Sequence, residues 1–401
     1  MTFYSAPLDA SRLLRLLAGA LTFSVIVAPK GAVVATILLA LLGSVWMVRH
    51  GNWRKLFRPH WVLLAVFLIW SLISCAWSLV QAESLGHAIK ATMVCFAGVV
   101  LYESSSGLRN QFSESASAIV IGAVAGLFVL SGVSAYTYIQ NDAVWGSFSY
   151  DPFTTLNNNA IVFSLILWPV TYALYRKRPA AGFVFLLAGF GLLSYLSSGA
   201  ALTGAVLGGA ALALSHFVGR RFLSVVAVVA FGAMVFAPLV VSHSGIDRFA
   251  TPEGFTAESS VPSSIRHRLA IWSFVSDKIS EKPILGWGQS ASRQIDDEPY
   301  RLDEDTEILP LHPHNISLQT RLELGLPGII LLGLFFLVLF FRFLSFRFAG
   351  DQMGLVLAVA VNWLLVAHVS VGMWQSWWIG MSFLLAVLVR FSLAAYPDKL
   401  A

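Results

Sequence analysis

Apolar segments long enough to cross a membrane recur along the chain, and short polar loops separate most of them. A spanning α-helix needs about 20 mostly apolar residues, because lipid cannot satisfy its backbone polar groups. The pattern predicts an all-α polytopic membrane protein with about twelve transmembrane helices and one long polar loop. The predicted spans are residues 11–29, 31–48, 61–80, 88–104, 115–139, 159–175, 181–198, 200–218, 222–241, 326–342, 352–373 and 378–396.

Basic residues mark one side of this arrangement. Clusters follow the second, sixth, eighth and tenth spans, so all of them fall on one side if the spans alternate. By the positive-inside rule that side is the cytoplasm, which also receives both termini. The clusters are Arg49, Arg54, Lys55 and Arg58, then Arg176, Lys177 and Arg178, then Arg220 and Arg221, and finally Arg342 and Arg347.

Composition supports the same class of protein. Only 12% of the 401 residues are charged, whereas about 25% are charged in a soluble domain. The net charge of +5 comes from bases in short loops, so we expect no nucleic-acid partner. Cys75 and Cys95 lie in predicted spans and predict neither a disulfide framework nor a metal site.

The long loop divides the chain into three parts. Residues 1–241 hold nine predicted spans, residues 242–325 form the loop on the outer side, and residues 326–401 hold the last three spans. Between Ser242 and Pro310 the loop has twelve acidic and seven basic residues, the reverse of the cytoplasmic loops. Loops of this length in compact proteins are usually functional.

Two amphipathic helices are predicted within this loop. The first starts at Pro262-Ser263-Ser264, with a serine as its N-cap. It should end by Lys282, because Pro283 cannot continue it.

Arginines on this first helix are candidates for binding phosphate. Arg268 and Trp272 share a face, whereas Arg266 diverges from Arg268. A guanidinium group donates paired, charge-assisted hydrogen bonds to phosphate oxygens. Pairing with Asp277, with Glu281 or with lipid phosphate is the plainer explanation of these arginines.

The second helix is predicted to start at His312, with Pro313 in its first turn. On that helix His314 and Arg321 share a face, which places a titratable base near N–H groups that favour a phosphate. Glu323 is about half a turn out of phase with His314. We therefore expect Glu323 to have a structural role, such as pairing with a base of the loop.

Two further features leave alternatives open. The spacing of His312 and His314 is compatible with metal ligation, but no cysteine is near and the acids at 296–307 form a run that is usually solvated. We therefore predict no metal, and hydrogen bonding to lipid headgroups is the simplest role for the histidines. Lys30 and Lys90 are bases on the outer side, where they either snorkel to headgroups or hold an anionic lipid headgroup.

The loop as a whole resembles the shared signature of the O-antigen ligase and O-antigen polymerase superfamily of bacterial inner membranes. The match covers residues 260–330 closely, and Asn157-Asn158-Asn159 is also similar to the family. Many members carry a mid-chain Ser-Arg pair, and the comparable stretch here, residues 197–200, has no arginine. The signature residues are Arg268, Trp272, Pro283, Gly286, Gly288, His314, Asn315, Leu318, Glu323, Gly325 and Gly328.

This resemblance implies a glycosyltransferase of the lipid-phosphate-donor type that needs no metal or cofactor. Its donor would be a glycan on undecaprenyl pyrophosphate, and residues 242–325 would be a periplasmic catalytic loop. As an O-antigen ligase it would transfer the glycan to a sugar hydroxyl of lipid A–core oligosaccharide, with inversion, in lipopolysaccharide biosynthesis. An O-antigen polymerase and a protein O-oligosaccharyltransferase are the alternatives within the superfamily.

A membrane transporter is a remote alternative from another class, because twelve spans are common among transporters. Asn362, His368 and Arg390 lie in predicted spans and would be its polar path. Helix packing and snorkelling explain these three residues more simply.

Roles for single residues follow from the resemblance and from side-chain chemistry. His314 is the expected general base, because an imidazole suits proton removal at neutral pH and the family match includes its His-Asn pair. His312 is the alternative base. Arg268 is expected to stabilise the departing pyrophosphate. The predicted pyrophosphate-binding residues are Arg266, Arg321, Lys30 and Lys90, and the predicted supporting residues are Asn315, Trp272, His312 and Glu323.

Overall fold

A computed structural model gives the fold of most of the chain. It describes residues 10–139, 152–196, 198–251, 261–295, 309, 311–346 and 350–395, without the side chains of 10–17, 107–116, 137–139, 152–155, 250 and 395. The structure is 86% helical, and the described residues contain no strand.

The described residues form thirteen α-helices, which we number in chain order. Nine of them are long and apolar enough to cross a membrane, and apolar helices of 10–17 residues lie in α1, α7 and α8. The all-α polytopic class is therefore confirmed, and the number of twelve spans stays a prediction. The helices are α1 (Ala10–Val27), α2 (Ala32–Arg49), α3 (Pro59–Ser74), α4 (Gln81–Ser104), α5 (Arg109–Ile139), α6 (Pro152–Lys177), α7 (Pro179–Tyr195), α8 (Gly199–Leu214), α9 (Arg220–Ser242), α10 (Ser263–Glu281), α11 (Ile316–Leu344), α12 (Gly350–Val369) and α13 (Ser376–Ala395).

Predicted basic loops meet at one end of the helix bundle. Arg58, which precedes α3, lies 3.0 Å from the buried carboxylate of Glu103 at the end of α4. Arg176, at the end of α6, lies 3.0 Å from Asp351 at the start of α12. These contacts join loops that alternating spans place on one side, and we call this the basic end.

The opposite end, which we call the site end, is covered by the amphipathic helix α10. This helix packs against α9 and α11 through a small apolar core that includes Ile271, Phe274 and Leu318. It ends at Glu281, before Pro283, as predicted. The prediction of a serine N-cap is wrong, because Pro262 occupies the cap position and leaves no side chain to cap the helix.

Helix α11 is broken inside the segment that crosses from the polar loop into the apolar span. Gly325 has φ +64° and ψ −159°, a conformation essentially restricted to glycine. Pro327 follows and has no N–H to donate. A break of this kind frees backbone carbonyls, which must find new donors in an apolar environment.

The turn after α10 supplies most of those donors. Gly286 has φ +72°, and a Cβ atom there would lie 2.6 Å from the Gly325 nitrogen, so the two chain segments are in backbone contact. One hydrogen bond runs from α11 to the turn, because the Leu326 N–H donates to the Ile284 carbonyl at 2.8 Å. The freed carbonyls of Leu322, Glu323 and Leu324 accept, respectively, from Trp287 N at 2.8 Å, Gly288 N at 2.8 Å and Trp70 Nε1 at 2.9 Å.

Replacing Gly325 by alanine tests this contact. The substitution should destabilise the protein by about 3 kcal/mol or more, because it forces alanine into a strained conformation and drives its Cβ against the Ile284 carbonyl. The measurement is thermal unfolding of the purified protein in detergent. The matched control is Gly232→Ala in α9, where no atom lies within 4 Å of the added methyl group and stability should be unchanged or slightly higher. Equal stability of the two variants would show that the break tolerates a side chain.

Candidate functional site

Arg268 and His314, the two side chains to which the sequence analysis assigns the reaction, bind at the carboxyl end of α12. Arg268 donates from Nε to the Val369 carbonyl at 2.6 Å, and His314 donates from Nδ1 to the Ser370 carbonyl at 2.8 Å. These are consecutive carbonyls at a helix end, where unpaired acceptors and partial negative charge favour cations. The structure therefore brings Arg268 and His314 together.

This contact fixes the tautomer of His314. A carbonyl only accepts, so the proton of the neutral ring is on Nδ1 and the lone pair is on Nε2. Burial lowers the pKa of His314 from its ordinary value of 6.5, and the charges of Arg268 and His267 lower it further, whereas the bond to Ser370 raises it. The net shift keeps the ring neutral at pH 7, with an acceptor nitrogen available.

The backbone around His314 differs from the prediction. Helix α11 starts at Ile316, not at His312, because Asn315 caps it and accepts hydrogen bonds from Ser317 N at 3.0 Å and Leu318 N at 3.1 Å. His314 lies outside the helix with φ +52°, a left-handed conformation that is uncommon for histidine.

Three details of the predicted helix are therefore wrong. Pro313 is not in its first turn, and His314 shares no helical face with Arg321. The N–H groups of Ser317 and Leu318, which we expected to favour a phosphate, are taken by the Asn315 side chain.

His312 and Trp272 hold the chain on either side of Pro313. The ring centres of His312 and His314 are 4.2 Å apart, and the backbone N–H of His314 donates to His312 Nδ1 at 3.3 Å. Burial lowers the pKa of His312 to about 3, and repulsion from the protonated form of His314 and from Arg293 adds to this shift. Trp272 donates from Nε1 to the Pro313 carbonyl at 3.0 Å. A neutral, buried His312 whose Nδ1 is occupied is better placed to support His314 than to act as the base.

Glu323 is fully buried and joins three segments of the site end. The expected pairing with a base of the loop does not occur among its described contacts, all of which come from uncharged donors. Four donors reach its two oxygens, which is the pattern a carboxylate accepts. They are Ser292 Oγ at 2.6 Å, Gln319 Nε2 at 3.1 Å, Ser290 N at 2.9 Å and Trp374 Nε1 at 2.6 Å.

Sequence reasoning missed the docking of Gln289 on α3 and α4. Its side-chain oxygen accepts from Ser71 at 2.8 Å, and its carbonyl accepts from Ser78 at 2.8 Å and Ser84 at 2.6 Å. Its N–H donates to Ser74 Oγ at 3.2 Å. A group of serines at the end of an apolar span could have indicated such a contact, because buried hydroxyl groups need a hydrogen-bond partner.

The other predicted binding residues are more dispersed. Arg266 lies in the first turn of α10, and Arg321 is half-buried on α11. Lys30 and Lys90 are exposed, on the turn Pro29–Gly31 and on α4. In the part of the chain that the structure describes, Arg321, Lys30 and Lys90 form no hydrogen bond or ion pair with Arg268 or His314.

Asparagines at the start of α6 also face the site end. Asn159 donates to the carbonyls of Ile26 and Val27, both at 2.8 Å, and so closes the end of α1. Ser198 donates to Asn157 Oδ1 at 2.6 Å, at the stretch where many family members have a Ser-Arg pair. Ser197 lies outside the described residues.

Polar residues of the remote transporter alternative are engaged in helix packing. Asn362 is fully buried and donates to the Ser164 carbonyl at 3.0 Å. Arg390 donates to the Tyr102 carbonyl at 2.6 Å, next to the basic end. His368 is bound through Nε2 to Ser317 Oγ at 2.9 Å.

The spacing of His312 and His314 is the feature of the sequence that is compatible with metal ligation. Among the described residues, no group of three or more His, Cys, Asp and Glu side chains is placed to hold a metal ion. The acids at 296–307 lie outside the described residues.

The fold and the site define a polytopic helical membrane protein with a histidine–arginine site at one end. Residues 183–333, from α7 to beyond the break in α11, match the family described as O-antigen ligase. This segment contains Arg268, His314 and Glu323. The segment that carries the site is therefore similar to the O-antigen ligase family.

Relatives along most of the chain carry related names. The chain is 27% identical to a candidate polysaccharide ligase of Rickettsia felis, over 83% of this chain and 80% of that protein. It is 27% identical to one of Rickettsia conorii, over 83% of this chain and 79% of that protein. It is 25% identical to one of Rickettsia prowazekii, over 83% and 80%. No solved structure matches the chain significantly.

Replacing Glu323 by glutamine tests its part in holding the site together. The amide nitrogen would face two donors that the oxygen now accepts, so we expect a loss of about 2 kcal/mol or more of stability. Hydrogen exchange of the backbone amides at 288–295 should speed up. The matched control is Glu281→Gln, an exposed residue paired with Lys278, which should change stability by about 0.5 kcal/mol or less. Unchanged exchange in Glu323→Gln would contradict the role.

Proposed function

We propose that the chain is an O-antigen ligase. It transfers a glycan from undecaprenyl pyrophosphate to a sugar hydroxyl of lipid A–core oligosaccharide, without a metal, on the periplasmic face of the bacterial inner membrane. The main support is the placement of His314 and Arg268 on consecutive carbonyls at the end of α12. The positive-inside rule, applied to the basic end, supports the periplasmic side for the site and the cytoplasm for both termini.

The proposed reaction begins with proton transfer to His314. Its Nε2 lone pair accepts the proton of the acceptor hydroxyl, and the hydroxyl oxygen forms a bond to the anomeric carbon of the donor sugar. The bond from that carbon to the pyrophosphate oxygen breaks, and the electron pair leaves with undecaprenyl pyrophosphate. A single displacement inverts the configuration at the anomeric carbon.

Arg268 is proposed to stabilise the leaving pyrophosphate. Its Nε and one N–H of Nη1 are taken by the carbonyls of Val369 and Ser264. These bonds hold the guanidinium in place and leave the N–H groups of Nη2 for phosphate oxygens. Arg266 and Arg321 are proposed as further partners of the pyrophosphate, and Lys30 and Lys90 as partners of anionic groups near the membrane surface.

The supporting residues are proposed to hold His314 in place. Asn315 starts α11 directly after it, Trp272 and His312 bind the chain around Pro313, and Glu323 ties the neighbouring turn to α11. A base needs this restraint, because small displacements from the reacting hydroxyl are costly in rate.

A deletion strain tests both the function and the base. Loss of a ligase should leave bare lipid A–core and accumulated lipid-linked glycan on a lipopolysaccharide gel. His314→Ala should fail to restore the wild-type pattern while remaining in the membrane at normal levels. The matched control is His243→Ala, because exposed His243 also bonds through Nδ1 to a carbonyl at a helix end, and it should restore the pattern.

Two outcomes of this experiment would contradict the proposal. A deletion strain whose core carries a single repeat would indicate a polymerase instead of a ligase. Full restoration by His314→Ala would remove the proposed base.

The pH dependence of transfer is a separate test of the base. The neutral form of His314 is the active one, and its pKa lies below 6.5. We therefore expect a constant rate between about pH 7 and 8 and a fall as the pH drops through the His314 pKa, below pH 6.5. The measurement is the initial rate of glycan transfer by the purified protein at saturating donor. An acid limb centred above pH 7 would be inconsistent with a buried, neutral His314.

A further inference from the structure

A second group of basic side chains lies near His312 of the imidazole pair. Arg293 ends the short helical turn Ala291–Arg293, and its exposed guanidinium is within electrostatic range of His312 and of His87 on α4. Lys90 is within electrostatic range of the same His87. We call Arg293, His87 and Lys90 the second cationic cluster.

Hydrogen bonds on both sides of the turn determine where Arg293 lies. Ser290 and Ser292 bind the Glu323 carboxylate on α11, and the Gln289 carbonyl accepts from Ser84 in the first turn of α4. Ser292 Oγ also lies 3.4 Å from the carbonyl of Leu311, the residue before His312. Arg293 therefore follows a turn that is fixed between α4 and the chain that carries the two histidines.

Residues of α4 supply the other side of the cluster. Glu83, His87 and Lys90 are spaced four and three residues apart, so they share one face of the helix. Glu83 is the acidic residue on this face, and among the described residues it forms no ion pair with Arg293 or Lys90. His87 Nδ1 is buried and has no hydrogen-bond partner in the described part of the chain. Among the described residues, this face of α4 therefore presents the positive charge of Lys90 and a ring nitrogen of His87 without a hydrogen-bond partner.

The two cationic groups act on different rings of the imidazole pair. The charge of Arg268 contributes to the lowered pKa of His314, whereas the charge of Arg293 contributes to the lowered pKa of His312. In a single displacement the nucleophile and the leaving group lie on opposite faces of the anomeric carbon. If Arg268 serves the leaving pyrophosphate, the cation near His312 is available for the second substrate.

We propose that the second cationic cluster binds an anionic substituent, a phosphate or a carboxylate, of the acceptor glycolipid, and this rests on the proposed ligase function. Arg293 donates a paired hydrogen bond to the anion, and Lys90 adds a second positive charge. The cluster thereby selects acceptors that carry negative charge near the reacting hydroxyl.

Steady-state kinetics of the purified full-length protein with a lipid-linked donor test the proposal. The acceptor is lipid A–core from a strain lacking this protein, used as isolated, after removal of phosphate, and after reduction of carboxyl groups. Arg293→Gln and Lys90→Gln should each raise the KM for the untreated acceptor about tenfold, the loss expected for one charge-assisted contact. The kcat and the donor KM of Arg293→Gln should stay within about twofold of wild type.

The treated acceptors identify the anion. The group whose removal raises the wild-type KM, and abolishes the difference between wild type and Arg293→Gln, is the bound group. Arg293→Lys should recover part of the affinity. The matched control is Lys282→Gln, an exposed lysine at the site end over the Trp287 ring, which should behave as wild type.

Other outcomes would overturn the inference. A rise in donor KM instead of acceptor KM would assign the cluster to the donor, and no change in either would show that it binds neither substrate. Acceptor binding can also be measured without donor, and equal affinity of wild type and Arg293→Gln would contradict the inference even if no turnover is detected. Failure of the proposed ligase function would appear separately, in the deletion strain and in His314→Ala, because those tests do not use variants of Arg293.

Discussion

The buried carboxylate of Glu323 is the interaction on which the site end depends. A charge in an apolar interior is costly unless several donors meet it, and these donors come from the turn at Ser290–Ser292, from Gln319 and from Trp374. The turn also carries Arg293, and the segment of Trp374 follows the Ser370 carbonyl that binds His314. Removing the carboxylate would leave all these donors unpaired at once, so Glu323 ties together segments next to the residues that are proposed to carry out the reaction.

The break in α11 imposes a second constraint on the same region. Lipid offers no hydrogen-bond partners, so an irregular backbone is stable only where protein groups replace the lost helical bonds. The turn after α10 does this, because Trp287 and Gly288 donate to the carbonyls that Gly325 and Pro327 leave unpaired. The polar loop is consequently attached to the transmembrane bundle by backbone hydrogen bonds that do not depend on side-chain identity, apart from the glycines that allow the approach.

The sequence predicted the parts of the fold that local rules control. Hydropathy placed the apolar helices, and Pro283 ended α10 as predicted. The start of α11 was wrong because two local signals compete there: proline is favoured in a first helical turn, but the Asn315 side chain caps the helix two residues later. The partners of Glu323 and of Gln289 come from distant segments, and no spacing rule reveals them. The placement of Arg268 next to His314 likewise depends on the end of α12, which binds both side chains and lies outside the motif that suggested them.

The position of His314 at a helix end reconciles two opposing demands on a general base. Burial favours the neutral ring, which must be present before the reaction, but the same burial would weaken its affinity for a proton. In the proposed reaction the imidazolium forms while Nδ1 is bonded to Ser370, and the carboxyl end of α12 stabilises that positive charge. Arg268 is bonded to the preceding carbonyl, so its own charge opposes protonation of the ring until the leaving pyrophosphate draws on it. Negative charge developing on the pyrophosphate would offset this repulsion, so proton transfer and departure of the leaving group would assist each other.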